Sequence, residues 1–351
     1  MRRHQSDIEA PGVVVSRVFR DPVPGAGNNR FIVIGVSAVS RTWDWIAEHA
    51  GDEHPWCLYV GLVAPHFPLV VPQEFYDLYP AETLPPAKLH PDDGHPRHPW
   101  IEKQNAFMDS EAKFSDPTER LAAMSAYFGL CTWLDHNVGQ ILNALDAAGL
   151  AENTTVIYTS DHGDNVGARG LWGKSNMYEE SAAIPMVMAG PNVPVGVCST
   201  PVSLLDLSKT IANHFGADLS AAAGAADLPS ILRWPRDKER VIFSEYHAAG
   251  AVSGAFMLRK GRWKLIHYVG FADELFDLES DPEERENRAT DGACAAILQD
   301  LHAELRKICD PEATNALAFR DQAALIDRHG GRDAALKLGA PGATPPPVVA
   351  E

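Results

Sequence analysis

The stretch Thr154-Thr155-Val156-Ile157-Tyr158-Thr159-Ser160-Asp161-His162-Gly163-Asp164-Asn165 decides the fold. Its first six residues are short and largely β-branched, as in a buried strand, and the chain then turns abruptly polar. Upstream, Asp116-Pro117-Thr118-Glu119 supplies an N-cap, a proline at the first helical position and a glutamate three residues after the cap. Leu121, Met124, Phe128, Cys131, Leu134, Val138, Ile141 and Leu145 step along one face of the predicted helix, and Gly149 closes it. Earlier still, residues 56–63 are apolar without alternation, which predicts a strand buried on both faces of a parallel sheet. That strand stops at Ala64-Pro65-His66-Phe67-Pro68 and is preceded by a helix over 39–50. Residues 80–116, rich in Pro, His and Asp, read as a surface excursion. Downstream come a third apolar strand at 185–189, a helix at 204–214 and a strand at 241–243. Strand, loop, helix, strand is the order of an α/β sheet, in which ligands sit at the carboxyl ends of strands.

The pattern changes after residue 240. Segments 254–259 and 263–268 flank Lys260-Gly261-Arg262 as a β-hairpin, 274–278 follows as a third antiparallel strand, and a helix covers 295–308. The expected organisation is an α/β domain over 1–240, a C-terminal antiparallel-sheet subdomain over 241–310, and a helical or disordered tail over 311–351. Residues 1 to about 30 read as irregular, and Pro345-Pro346-Pro347 marks the disordered part of the tail.

The 351 residues carry 30 Lys and Arg against 47 Asp and Glu, a formal net charge of −17. Such acidity argues against nucleic acid or an anionic membrane as the main partner, but not against a local cationic pocket for a small anion. No stretch approaches the roughly 20 apolar residues that span a bilayer. Five scattered cysteines (Cys57, Cys131, Cys198, Cys294 and Cys309) form no CxxC pair and no disulfide framework, which fits a reducing compartment. The opening residues lack the apolar run of a secretory signal. The expected location is the cytoplasm.

Two strand ends carry the candidate chemistry. Asp161 and His162 follow the strand at 154–159, where both can turn toward one cation while Gly163 lets the backbone bend close. Lys174 closes the glycine-containing segment Arg169-Gly170-Leu171-Trp172-Gly173-Lys174, whose folding back would bring its ammonium over the same pocket. His66 stands between Pro65 and Pro68 at the end of the other strand. If the strands are neighbours, these four residues converge on a metal flanked by donors, an arrangement that suits a tetrahedral oxyanion ester. On the residues alone each admits a plainer reading: a turn for Asp161-His162-Gly163, loop packing for His66, a surface lysine for Lys174.

Thr159-Ser160-Asp161-His162-Gly163-Asp164, followed by Gly167-Ala168-Arg169-Gly170-Leu171-Trp172-Gly173-Lys174, resembles the distal signature of the sulfatase family, of the choline-sulfatase and phosphonate-monoester-hydrolase type. Ala64-Pro65-His66-Phe67-Pro68-Leu69, Leu134-Asp135-His136-Asn137-Val138-Gly139, Ser244-Glu245-Tyr246-His247 and the segment from Phe256 to Lys264 agree with it. The resemblance covers about residues 40 to 310. It implies an alkaline-phosphatase-like α/β sheet sandwiched by helices, with its N-terminal strands missing here. It further implies metal-dependent hydrolysis of small sulfate esters, with phosphonate or phosphate monoesters as alternatives. Asp161 and His162 would be metal ligands, His66 and Lys174 would contact the anion and act in catalysis, and His247 would line the substrate pocket or simply pack. Many sulfatases carry Asn at the position of His162 and bind calcium; the softer histidine leans toward manganese.

The resemblance also implies parts that this sequence lacks. The family opens with a strand ending in an Asp pair, then a Cys-x-Pro-x-Arg motif whose Cys or Ser becomes formylglycine, the nucleophile, and then a Lys/His pair. Cys198-Ser199-Thr200-Pro201 has its proline one place late and no following Arg. The expectation is therefore a truncated copy, with weak metal affinity from two protein ligands and no covalent route to ester cleavage. The alternatives are a non-catalytic remnant binding an anion or partner protein, and a hydrolase using metal-activated water with His66 or His162. Oligomeric state stays open.

Overall fold

The computed structural model describes residues 25–26 and 30–337, apart from 108, 218, 220–223 and 234–235. Most of the irregular opening and the tail from Gly339 lie outside the described residues. In chain order the first elements are β1 (Gly25–Ala26), α1 (Arg30–His49), β2 (Val70–Val71), α2 (Gln73–Tyr76), α3 (Pro99–Asn105) and α4 (Pro117–Ala147). Next come β3 (Val156–Thr159), α5 (Glu179–Ala182), β4 (Met186–Ala189), α6 (Leu204–His214), α7 (Leu228–Leu232) and β5 (Val241–Tyr246). The last are β6 (Ala255–Lys260), β7 (Trp263–Tyr268), β8 (Glu274–Asp277), α8 (Ala295–Ile308), α9 (Pro311–Arg328) and α10 (Arg332–Lys337). None of the described helices is long and apolar enough to cross a membrane.

The chain divides into two compact units. The first comprises Met1–Ala87, Glu111–Tyr158 and Met186–Val193 and is organised by α4. Asp116 caps this helix as expected, its carboxylate accepting from the Thr118 and Glu119 amides at 2.7 and 3.1 Å. Glu119 reaches one residue further back than a capping box requires and accepts from the Ser115 amide at 2.7 Å. Gly149 ends the helix in the left-handed region at φ 70°. The buried face is rotated from the predicted one. Met124, Leu134 and Leu145 are buried, but Phe128, Cys131, Val138 and Ile141 are only half-buried, and Ala126, Gly129, Leu130, Trp133 and Asn137 take the centre. Ala126, Leu130 and Trp133 form a core with Val71, against which Phe75 and Tyr76 pack. Gly129 makes that contact possible, since a Cβ there would lie 3.0 Å from the Phe75 carbonyl oxygen.

β1 and β2 pair in parallel, and β3 pairs with β4. The segment 56–63 does not form the expected buried strand. It has no assigned ladder among the described residues, and Cys57 and Tyr59 are exposed. β3 and β4 are also less covered than predicted, with one residue in two exposed along β4.

The second unit comprises Lys88–Ser110, Thr159–Pro185 and Pro194–Glu351. Its centre is the antiparallel meander β5-β6-β7-β8. The predicted hairpin is present, with Lys260 opposite Trp263 across the Gly261-Arg262 turn. Alternation sends successive side chains to opposite faces. Ala255, Met257, Ile266, Tyr268 and Phe276 join Trp100, Leu171 and Tyr178 on one side. Phe256, Leu258, Leu265 and Leu275 join Leu301 and Leu305 of α8 on the other. Both faces are therefore covered, which accounts for the complete burial of β8.

Candidate functional site

The loop after β3 is a clasp closed by its own polar groups. Asp164 accepts from the Val166 amide at 3.0 Å and from the Gly173 amide at 2.9 Å. The Asn165 amide donates to the Gly173 carbonyl at 2.8 Å, and its side chain repeats the bond at 2.6 Å. Within the clasp, the Gly167 amide donates to Leu171 and the Ala168 amide to Asn165, both at 2.8 Å. Residue 174 is thereby returned toward residue 164, as the glycines of the segment predicted.

Asp161 and His162 lead into the clasp. The His162 amide donates to Asp161 Oδ1 at 3.1 Å, and Ser160 Oγ donates to the His162 carbonyl at 2.8 Å. His162 Nδ1 lies 2.8 Å from the Gly163 carbonyl oxygen. A carbonyl only accepts, so Nδ1 donates there and, in the neutral ring, Nε2 is the nitrogen that can ligate a metal. That Nε2 lies 3.6 Å from Asp161 Oδ2, and the Asp161 carboxylate is 81% exposed. The pair thus offers one nitrogen and one carboxylate donor side by side. Lys174 responds to the same acids: burial lowers its pKa, while the negative charges of Asp161 and Asp164 oppose the shift.

The backbone under the pair is fixed by close approach. The Gly163 amide donates to the Ser181 carbonyl at 2.9 Å, and a Cβ at Gly163 would lie 2.0 Å from the Glu180 carbonyl oxygen. Only glycine fits there. Glu180 is itself held by a buried ionic network. Its carboxylate pairs with Lys88 and, at 3.0 Å, with Arg169. Burial opposes its ionisation, but Arg169 and Lys88 outweigh burial and keep the pKa below the usual value. Arg169 is buried with φ 55°. It stacks 3.8 Å from the Tyr178 ring centroid and donates to the Glu284 carbonyl at 3.0 Å. Arg97 clamps the same turn, donating to the Arg169 and Gly170 carbonyls at 2.7 and 3.0 Å. Lys264 continues the network, 2.7 Å from both Glu179 and Glu284. Beside it, burial pushes Glu274 up to about 7, against hydrogen bonds donated by Tyr268 and Tyr178. None of these supports was identified from the sequence, because the partners lie up to 115 residues apart (Arg169 to Glu284) with no spacing pattern.

Asp161, His162 and Lys174 belong to the second unit, as does His247; His66 belongs to the first. His66 Nδ1 donates to the Phe67 carbonyl at 2.8 Å and its ring packs on Phe67. His247 follows β5, packs edge-on to Phe256 at 5.3 Å and has Nε2 3.5 Å from Glu245. Gly254 accommodates that ring, since a Cβ there would lie 2.8 Å from His247 Cε1.

Comparison with known proteins bears on these geometries. A sulfatase family model matches residues 34–217, and a model of the N-sulphoglucosamine sulphohydrolase C-terminal region matches 167–310. A choline-sulfatase of Rhizobium meliloti (strain 1021) is 32% identical over 284 residues, covering 78% of this chain and 54% of that protein. A sulfatase of Formosa agariphila is 28% identical over 269 residues, covering 75% and 52%. Among solved structures, a phosphonate monoester hydrolase from Silicibacter pomeroyi superposes with a TM-score of 0.67 at 26% identity, covering 80% of this chain and 59% of that one. The expected alkaline-phosphatase-like α/β fold is thus shared with sulfatase structures. The chain spans about half the length of the curated relatives it matches.

Proposed function

The chain belongs to the sulfatase family, and on that premise we propose that its clasp carries the metal- and anion-binding side of a sulfate ester hydrolase. The observation that carries this reading is local to residues 161–174: a paired Asp and His, with a returning lysine in the field of the Asp. Asp161 and His162 would hold a divalent ion, manganese or calcium. The nitrogen donor favours the former over an all-oxygen calcium site. When bound, that ion neutralises charge on the oxygens of the ester. Lys174 binds and orients a sulfate oxygen through its ammonium, and burial sharpens that attraction by excluding water. Gly163 and the Glu180 carbonyl fix the backbone that aims the ligands. No Cys-x-Pro-x-Arg stands in the 351 residues, so the residues named here bind and stabilise charge, and the nucleophile is assigned to none of them.

A small sulfate ester is the proposed substrate, with a phosphonate monoester as the alternative, since both present a tetrahedral anion to the same donors. The test is calorimetric titration of the metal-stripped chain with Mn²⁺ or Ca²⁺, then with choline sulfate, followed by measurement of sulfate release. Metal-dependent binding that disappears in Asp161→Ala and Lys174→Met is expected. Sulfate release would establish hydrolysis by these residues. Binding without release would favour the anion-binding reading. Choline sulfate and phenyl methylphosphonate both failing to bind with metal present would refute the proposal.

A further inference from the structure

Within the second unit, three other residues from separate elements meet at one point. His267 lies on β7, Asp273 immediately precedes β8, and His302 lies on α8. Each offers one ligand atom, and these atoms lie within 4.8 Å of one another. His267 Nδ1 is 2.7 Å from Asp273 Oδ1, and His302 Nε2 is 2.7 Å from Asp273 Oδ2. The two imidazole rings stand nearly perpendicular, with centroids 5.3 Å apart. We propose that His267, Asp273 and His302 form a transition-metal site, selective for zinc, that ties α8 to the edge of the antiparallel sheet.

The donor set argues for this metal. Two imidazole nitrogens and one carboxylate oxygen suit zinc, whereas calcium and magnesium take oxygen ligands. Three protein ligands leave a fourth tetrahedral position for water. Zinc bonds of about 2.0–2.1 Å set neighbouring donors about 3.3 Å apart, so a ring nitrogen and the carboxylate oxygen that ligates part by about half an ångström while the two rings close on the ion from within the 4.8 Å that spans the three donors. The Asp273 carboxylate stands between the two rings, one oxygen facing each nitrogen. With an anionic acceptor between them, both rings turn N–H groups inward. Zinc takes the place of those two protons, which move to the outer ring nitrogens or to solvent. His302 is the partly exposed member and lines an open hollow with Thr290, Asp291 and Gln299, which gives an ion a route from solvent.

The experiment uses the full chain carrying Asp161→Ala and His162→Ala, so that metal at the clasp cannot report and failure of that reading is kept apart. After chelator treatment the protein is titrated with Zn²⁺ by calorimetry and with Co²⁺ by visible absorption. One equivalent of zinc, intense tetrahedral cobalt bands and a zinc-dependent rise in Tm are expected. His302→Gln retains a side-chain donor to Asp273. It should weaken zinc binding by about 100-fold or more while leaving the metal-free Tm near its original value. Absence of the cobalt bands, or zinc binding that persists unchanged in both His302→Gln and His267→Gln, would overturn the proposal.

Discussion

Lys264 is the most exacting test of how the second unit is held together. Its side chain is completely buried on β7, and Nζ stands 2.7 Å from both Glu179 and Glu284. Glu284 is equally buried, accepts from the Glu179 amide at 2.8 Å, and sits at φ 52° where few non-glycine residues are stable. Lys264→Met keeps the aliphatic stem and removes the charge. At 2.7 Å and an effective dielectric near 20, the attraction lost to one carboxylate is about 6 kcal/mol. Part of this returns because the lysine no longer has to be desolvated, and breaking a buried pair typically costs about 3–5 kcal/mol. Arg169 remains 3.8 Å from Glu284, which places the expectation at the lower end, about 3 kcal/mol. For a unit of this size that is a fall in Tm of about 6–12 °C. Urea unfolding at neutral pH gives the same quantity directly.

The pH dependence has a defined sign. Burial raises the pKa of Glu284, and Lys264 opposes that shift, so removing the lysine raises it further. A carboxyl whose folded pKa exceeds its unfolded value contributes stability in acid and loses it as pH rises through the folded value. The deficit of Lys264→Met is therefore smallest in mild acid and grows toward alkaline pH. Adding Glu284→Gln, which keeps the acceptor for the Glu179 amide, should recover stability to within about 1 kcal/mol of the parent, since removing both charges of a buried pair is close to neutral. A single-mutant cost below about 1 kcal/mol, or a deficit that Glu284→Gln leaves unrelieved, would refute the reasoning.

Three further outcomes are expected. Asp161→Ala should abolish Mn²⁺ binding at the clasp in calorimetry yet leave the unfolding midpoint unchanged, because the carboxylate is exposed. Gly163→Ala should cost about 1–3 kcal/mol and weaken metal binding, since the methyl group meets the Glu180 carbonyl; thermal unfolding and metal titration of the same sample check both. Two glycines of α4 should respond oppositely in urea unfolding. Gly139→Ala meets nothing within 4 Å and should stabilise by up to about 1 kcal/mol, whereas Gly129→Ala presses on the Phe75 backbone and should destabilise.

The sequence was most legible where local chemistry decides the structure. The Asp116 cap, the bounds of α6 and α8 and the β6–β7 hairpin follow from residues within a few positions of one another. It was least legible where a partner decides. The apolar run at 56–63 records a demand for burial, but a strand is defined by the ladder beside it, and none is assigned there among the described residues. The face of α4 was misphased for a related reason. Apolar spacing counts Phe128 and Cys131 and passes over Ala126, Gly129 and Asn137, yet the small residues are what let α2 approach. Size at a contact matters there as much as hydrophobicity.

The candidate site divides along the same line, and the division says what builds it. Asp161, His162 and Lys174 stood out because their chemistry falls within one short segment of chain. What aims them did not. The Glu180 carbonyl packs on Gly163 while the Glu180 carboxylate is held by Lys88 and Arg169. Arg169 is fixed in turn by the Glu284 carbonyl, and Glu284 by Lys264 of the central sheet. The Asp161–His162 pair therefore rests on a chain of buried charges that ends in the central sheet of the second unit. A loop presenting an exposed carboxylate has little apolar surface of its own to hold it, so its geometry has to be borrowed from a rigid neighbour. Lys264→Met should therefore weaken Mn²⁺ binding at Asp161 and His162 even below its unfolding temperature. Unchanged affinity in the folded variant would show that the clasp's own hydrogen bonds, from Asp164 to Gly173, suffice to aim the pair.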